Sequence, residues 1–186
     1  MKMSTKELAM GAIMLALATV LSIFTPFKMP LGGSITIASM APILLFCFFS
    51  KPPVAFIVSS VYGLIQTGLS IANVMGWGLT VNTLLGTVFL DYILAYAVLG
   101  IVSLFGTKKT YPRFILGAVT AVFVRFLLHF FSGIILFRNW ATFDPPELYS
   151  LVYNGQFLSV DFGIALAVAL AVFYVFKKAY YETSIA

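Results

Sequence analysis

The stretch from Phe114 to Phe137 reads FILGAVTAVFVRFLLHFFSGIILF. A helix crosses a bilayer core in about 20 mostly apolar residues, and this run is long enough to do so. Its only ionisable side chains are Arg125 and His129. Four residues apart, they share one helical face, which Gly133 and Phe137 continue at the same interval. Charge inside a membrane helix is expensive, and such residues are functional candidates by default. The segment therefore sets the class of the protein and points at a site. A cation, an imidazole, a space and a ring on one stripe suit a small polar aromatic ligand. Gly133 is expected to let that ligand approach the helix closely, with the rings available for stacking.

The composition of the whole chain agrees. Of 186 residues, 61% are hydrophobic, 16% aromatic and 9% charged. A soluble domain carries roughly 25% charged residues. With a mean hydropathy of +1.05, the chain is neither a soluble monomer nor disordered. The net charge of +5 is spread over single or paired basic residues, so it is no nucleic-acid footprint. Cys47 sits alone in an apolar run and reads as inert packing.

Working outward, five further apolar segments join the first. The six are expected at about 8–24, 35–49, 54–71, 84–105, 114–137 and 151–176, within one membrane domain spanning 1–186 and without linkers. The first run continues to Phe24 with no clear small-residue cleavage site, which favours a retained helix over a signal peptide. With six spans, Lys2, Lys6, Lys51, Lys108, Lys109, Arg113, Lys177 and Lys178 fall on one side. The opposite loops hold only Lys28 and Arg138. The positive-inside rule then puts both termini in the cytoplasm. The outer connections are the longer ones and carry Pro, Gly, Trp77 and Trp140. Such loops often build binding sites, although both tryptophans also suit interfacial anchors.

Asp91, in the fourth segment, and Asp161, in the sixth, complete the set of ionisable residues within spans. A purely structural alternative is a buried Asp91–Arg125 ion pair that binds nothing. Asp161 has no evident partner and reads as structural, near a helix end. Tyr149 and Asn154 are five apart, so they share an inward face only if the sixth helix starts between them. Asn154 offers a donor and an acceptor, matching an aminopyrimidine edge. In the first segment, Ala12 and Ala16, with Ala9 and Gly11 nearby, allow close approach of another helix.

Several chemistries are excluded. The chain has no phosphate loop, no His-Glu-xx-His motif and no cysteine cluster. Nothing beside Cys47 would lower its pKa for nucleophilic work, and no inverted repeat marks a secondary transporter. Catalysis is not expected.

Taken in order, certain pieces resemble a known family: Met29-Pro30-Leu31-Gly32-Gly33-Ser34, Pro42-Ile43-Leu44-Leu45, Leu90-Asp91-Tyr92-Ile93, Arg125 through Gly133, and Tyr149 through Asn154. The chain resembles the thiamine-specific S components of energy-coupling factor importers, the ThiT/YuaJ family. The resemblance implies an all-α bundle of six transmembrane helices in a bacterial cell membrane. It implies thiamine capture near the outer face, and association with a transmembrane coupling subunit and two ATPases. ATP would be used by those partners alone, and no cofactor is implied. The family's site falls on Asp91, Tyr92, Arg125, His129, Gly133, Tyr149 and Asn154, with Phe137, Gly33 and Ser34 at neighbouring positions. Its coupling-subunit contact falls on Ala12 and Ala16.

Three departures stand out. Asp91 replaces a Glu of some members, and Phe137 and Gly33 stand where some carry Trp. Backbone amides of Gly32-Gly33-Ser34 would then close one side of the pocket. Alternative ligands are a thiamine phosphate or precursor, or another vitamin. A self-contained small transporter is the alternative of another class.

Overall fold

The computed structural model describes residues 4–185, so Lys2 of the basic inner set lies outside the described residues. Helix α1, Thr5–Ile23, opens on a capping box. The Glu7 N–H donates to Ser4 Oγ and the Ser4 N–H to Glu7 Oε2, each at 3.1 Å. Only Gly11 and Ala18 of this helix are fully buried, while Met10, Met14 and Leu15 are half-buried against the core and much of the remaining surface, Ala12 and Ala16 included, is exposed.

The connection after α1 is a small hairpin. Strand β1, Phe27–Lys28, pairs antiparallel with β2, Ser34–Ile35, in the register Phe27↔Ile35 and Lys28↔Ser34. The turn between them passes through left-handed backbone at Leu31 and Gly32.

Helix α2, Met40–Phe49, is shorter than the expected 35–49 segment. At 1.5 Å per residue it measures about 15 Å, half of a bilayer core. All ten of its residues are buried, so its apolarity serves the protein core rather than lipid. Its phenylalanines anchor an aromatic cluster: the Phe48 ring lies 5.3 Å from Phe114 and 6.0 Å from Phe173. Cys47 is fully buried there, its thiol 3.4 Å from the Ala55 carbonyl oxygen.

The other four helices are α3 (Pro52–Met75), α4 (Val81–Phe105), α5 (Tyr111–Ile135) and α6 (Pro146–Ile185). With α1 they are long and apolar enough to cross a membrane, and with α2 they make the expected six. The double proline Pro52-Pro53 starts α3, where a missing N–H costs nothing. Apolar surface gains little by leaving lipid, so close packing holds such helices together. At Gly63 of α3, a Cβ would stand 3.1 Å from the Tyr92 carbonyl oxygen, so glycine sets the α3–α4 spacing. Helix α4 is not uniform, passing through a π-helical stretch at Val88–Leu94 and ending as 3-10 helix over Val98–Phe105. Single π turns inside helices occur frequently at functional sites, and Asp91 and Tyr92 lie in this one.

The α4–α5 loop, the end of α2 and the far part of α6 meet at one end of the bundle. The Lys109 ammonium donates to the Phe48 carbonyl, and Lys177 donates to the Lys109 carbonyl at 3.2 Å. Burial against the Phe48 and Phe49 rings pushes the Lys109 pKa down to about 8. The folded chain then holds fewer protons than the unfolded chain between that value and the ordinary lysine pKa, so stability rises with pH over this interval. The melting temperature of the wild type, measured from pH 7.5 to about 10, should gain an increment that Lys109→Met lacks. Parallel curves for the two proteins would contradict this.

Candidate functional site

One cavity is lined by the C-terminal halves of α3 and α5, the part of α4 up to Tyr96, the N-terminal half of α6, Met40 at the start of α2, and the β1–β2 hairpin. It therefore occupies the half of the bundle away from Lys109. All ten residues singled out for a ligand line it: Gly33, Ser34, Asp91, Tyr92, Arg125, His129, Gly133, Phe137, Tyr149 and Asn154.

Asp91 is the chemical centre of this wall. Its Oδ1 lies 2.8 Å from His129 Nδ1, and its Oδ2 accepts from the Ser132 hydroxyl at 2.5 Å. Helical periodicity explains the arrangement, because His129 and Ser132 are three apart on α5 and face α4 together. The Asp91–Arg125 ion pair does not form. Arg125 lies one turn deeper, its guanidinium 4.0 Å above the Tyr96 ring, and donates to His129 Nε2 and Met40 Sδ, each at 3.4 Å. The carboxylate is thus held by the imidazole and a hydroxyl, which leaves it available to a cation in the cavity.

Helix α6 begins at Pro146, ahead of Tyr149 rather than between Tyr149 and Asn154. Both still line the cavity, on adjoining stripes: Tyr149 with Tyr153, and Ser150 with Asn154, Phe157 and Asp161. Asn154 differs from expectation in its hydrogen bonding. Its Nδ2 donates to the His129 carbonyl, the Ser150 carbonyl and Ser150 Oγ at 3.0–3.3 Å. Its donor is occupied, and Oδ1 remains as an acceptor.

Gly133 also has another role than the expected one. A Cβ there would collide with the Ser150 side chain. The vacancy admits Ser150 of α6, whose hydroxyl donates to the Phe130 carbonyl at 2.8 Å. Gly133 sets a helix–helix contact as well as lining the cavity. Phe137 lies past the end of α5, where its ring packs edge-on against Trp77 at 6.3 Å and Trp140 at 5.8 Å.

The Gly33 amide is not free to close the pocket, since it donates to the Tyr153 hydroxyl at 3.0 Å. That hydroxyl in turn donates to the Pro30 carbonyl. Side chains close this side: Tyr153 of α6, and Trp77, whose indole rests on Gly32. Trp77 is therefore part of the cavity wall, whereas Trp140 touches it only through Phe137.

Sequence reasoning missed Asp161 as a lining residue. It lies well inside α6, not near its end, and is 5% exposed. Its Oδ1 accepts the Thr36 N–H at 2.7 Å and lies 2.7 Å from Thr36 Oγ1. Tyr96, Ser132, Tyr153 and Phe157 were missed too. The signal for Ser132 was its i+3 position from His129, and for Tyr153 and Phe157 their intervals from Tyr149 and Asn154. Nothing local marked Tyr96 or Thr36.

The family described as thiamine transporter protein (Thia_YuaJ) matches residues 8–182. The thiamine transporter ThiT of Bacillus subtilis (strain 168) is 31% identical over 176 residues, covering 87% of each chain. A solved structure of ThiT from Listeria monocytogenes superposes with a TM-score of 0.74 at 18% identity, covering 92% of this chain and 95% of that one. At that identity the structural likeness speaks for the fold.

Proposed function

This chain belongs to the thiamine transporter protein (Thia_YuaJ) family, and from that premise we propose that it captures thiamine in the cavity around Asp91. It is a multi-pass protein of the bacterial plasma membrane with a transport rather than an enzymatic role. The observation that carries the ligand is the Asp91–His129–Ser132 cluster facing a cavity walled by Trp77, Tyr92, Phe137, Tyr149 and Tyr153. Thiamine combines a fixed cationic thiazolium with an aminopyrimidine. Asp91 balances the cation or accepts from the amino group, and Asn154 Oδ1 offers a second acceptor. Each aromatic face adds roughly 0.5–2 kcal/mol to a cationic ring.

Transport is proposed to follow the energy-coupling factor scheme, with this chain as the S component. A transmembrane coupling subunit and two ATPases would supply the energy. Supporting this, the chain carries no phosphate loop, and α1 presents Ala12 and Ala16 on its exposed side. Small residues there let a partner helix approach closely. The basic residues around Lys51, Lys109 and Lys177 orient that end toward the cytoplasm, with the cavity toward the outside.

Reconstituted vesicles test the scheme. The chain alone should bind thiamine without accumulating it, and accumulation should require the coupling subunit, the ATPases and ATP. Ala12→Trp should leave thiamine affinity within about twofold of wild type, as an exposed substitution far from the cavity does, while abolishing uptake. Concentrative uptake by the chain alone, or full uptake by Ala12→Trp, would overturn the proposed partnership.

A further inference from the structure

Arg125 and Asp161 are each 5% exposed, and both line the inner part of the cavity. Each is incompletely bonded. A guanidinium has five N–H donors. Among the described residues, Arg125 meets one ring nitrogen and one thioether sulfur, both at 3.4 Å, and no oxygen. Asp161 receives Thr36 at Oδ1, while no donor among the described residues reaches Oδ2. No fully enclosed side-chain nitrogen or oxygen among the described residues lacks a partner, so the unfilled guanidinium N–H groups and Oδ2 belong to the cavity wall. The two groups do not satisfy each other. The ion pairs among the described residues are His129–Asp91 and Lys178–Glu182.

Buried charged groups with unfilled hydrogen-bonding capacity are costly unless something completes them. Whatever completes this pair must accept from the guanidinium and donate to the carboxylate. A hydroxyl does both through one oxygen. An alkyl group does neither. A phosphate ester accepts from Arg125 but sets its negative charge against Asp161.

We propose that Arg125 and Asp161 form a hydroxyl subsite that reads the primary alcohol of the ligand and rejects its phosphate ester, with Asp161 as the specificity-determining residue. The inference rests on the thiamine reading above, since thiamine ends in a hydroxyethyl arm. Asp91 and its neighbours hold the charged and aromatic rings, and the alcohol reaches the deeper pair.

Calorimetric titration of the detergent-solubilised full chain tests this with three probes: thiamine, the analogue with an ethyl group in place of hydroxyethyl, and thiamine monophosphate. A site built to hydrogen-bond a hydroxyl strongly rejects an analogue lacking it, so the ethyl analogue should bind at least about 30-fold more weakly than thiamine to the wild type. The monophosphate should also be weaker by at least about 30-fold, and in Asp161→Asn that deficit should shrink by about tenfold or more as the like-charge contact is removed. The ratio of two affinities in one protein cancels general damage from the loss of the Thr36 contacts, and the ethyl comparison needs no variant. Thiamine binding with the ethyl analogue within about threefold of it would overturn the subsite, as would an unchanged monophosphate deficit in Asp161→Asn. A wild type that binds none of the three would overturn the thiamine reading itself, and the subsite with it.

Discussion

Asp91→Asn is expected to weaken thiamine binding by at least about 100-fold, or ~3 kcal/mol, the range found when one partner of a desolvated charge pair is neutralised. The substitution preserves shape. Its amide oxygen still accepts from His129 Nδ1, and its NH2 group can donate to the Ser132 hydroxyl, so both neighbours keep a partner. What disappears is the negative charge facing the cavity. The fold should tolerate this, and the melting temperature of the unliganded variant should fall by no more than about 4 °C, corresponding to roughly 1 kcal/mol in a chain of this size. Quenching of Trp77 fluorescence during titration reads the affinity, because that indole lies in the cavity wall. Unchanged affinity would mean that the cation rests elsewhere.

Gly133→Ala carries the second large effect. The added methyl enters space occupied by Ser150, so α5 and α6 must separate or Ser150 must turn away. Overpacking of this kind costs about 1–3 kcal/mol. Displacing Ser150 also breaks its hydrogen bond to the Phe130 carbonyl and one of the contacts that fix Asn154, adding about 1 kcal/mol or more. The variant should lose both thermal stability and thiamine affinity. The double variant Gly133→Ala/Ser150→Gly, which clears the collision, should recover most of the stability. Such non-additivity is expected of residues in direct contact. Equal losses in the single and double variants would show that the contact does not set the helix spacing.

These effects also show what the sequence could and could not reveal. The α5 stripe was legible because helical periodicity alone brings Arg125 and His129 to one face. Periodicity did not say which of them meets Asp91. That depends on the rotation of α4 through its π-helical stretch, which no local pattern announced. The apolar run 35–49 looked like a full span because burial in protein and exposure to lipid demand the same residue types. Only the packing shows α2 to be short and wholly enclosed. Asp161 seemed unpartnered because Thr36 lies 125 positions away. Gly133 suggested a space for the ligand, and the space belongs to Ser150. The absence of Trp at position 33 pointed to backbone amides, whereas an indole arrives from the α3–α4 loop as Trp77.

The central claim is that this chain, alone, captures thiamine in the Asp91 cavity. Calorimetric titration of the purified wild type with thiamine, without coupling subunit or ATPases, tests it most directly. Saturable binding of one thiamine per chain is expected, with a Kd of about 1 µM or tighter, equivalent to at least ~8 kcal/mol. Absence of saturable heat up to about 1 mM thiamine, a limit of ~4 kcal/mol, would contradict it.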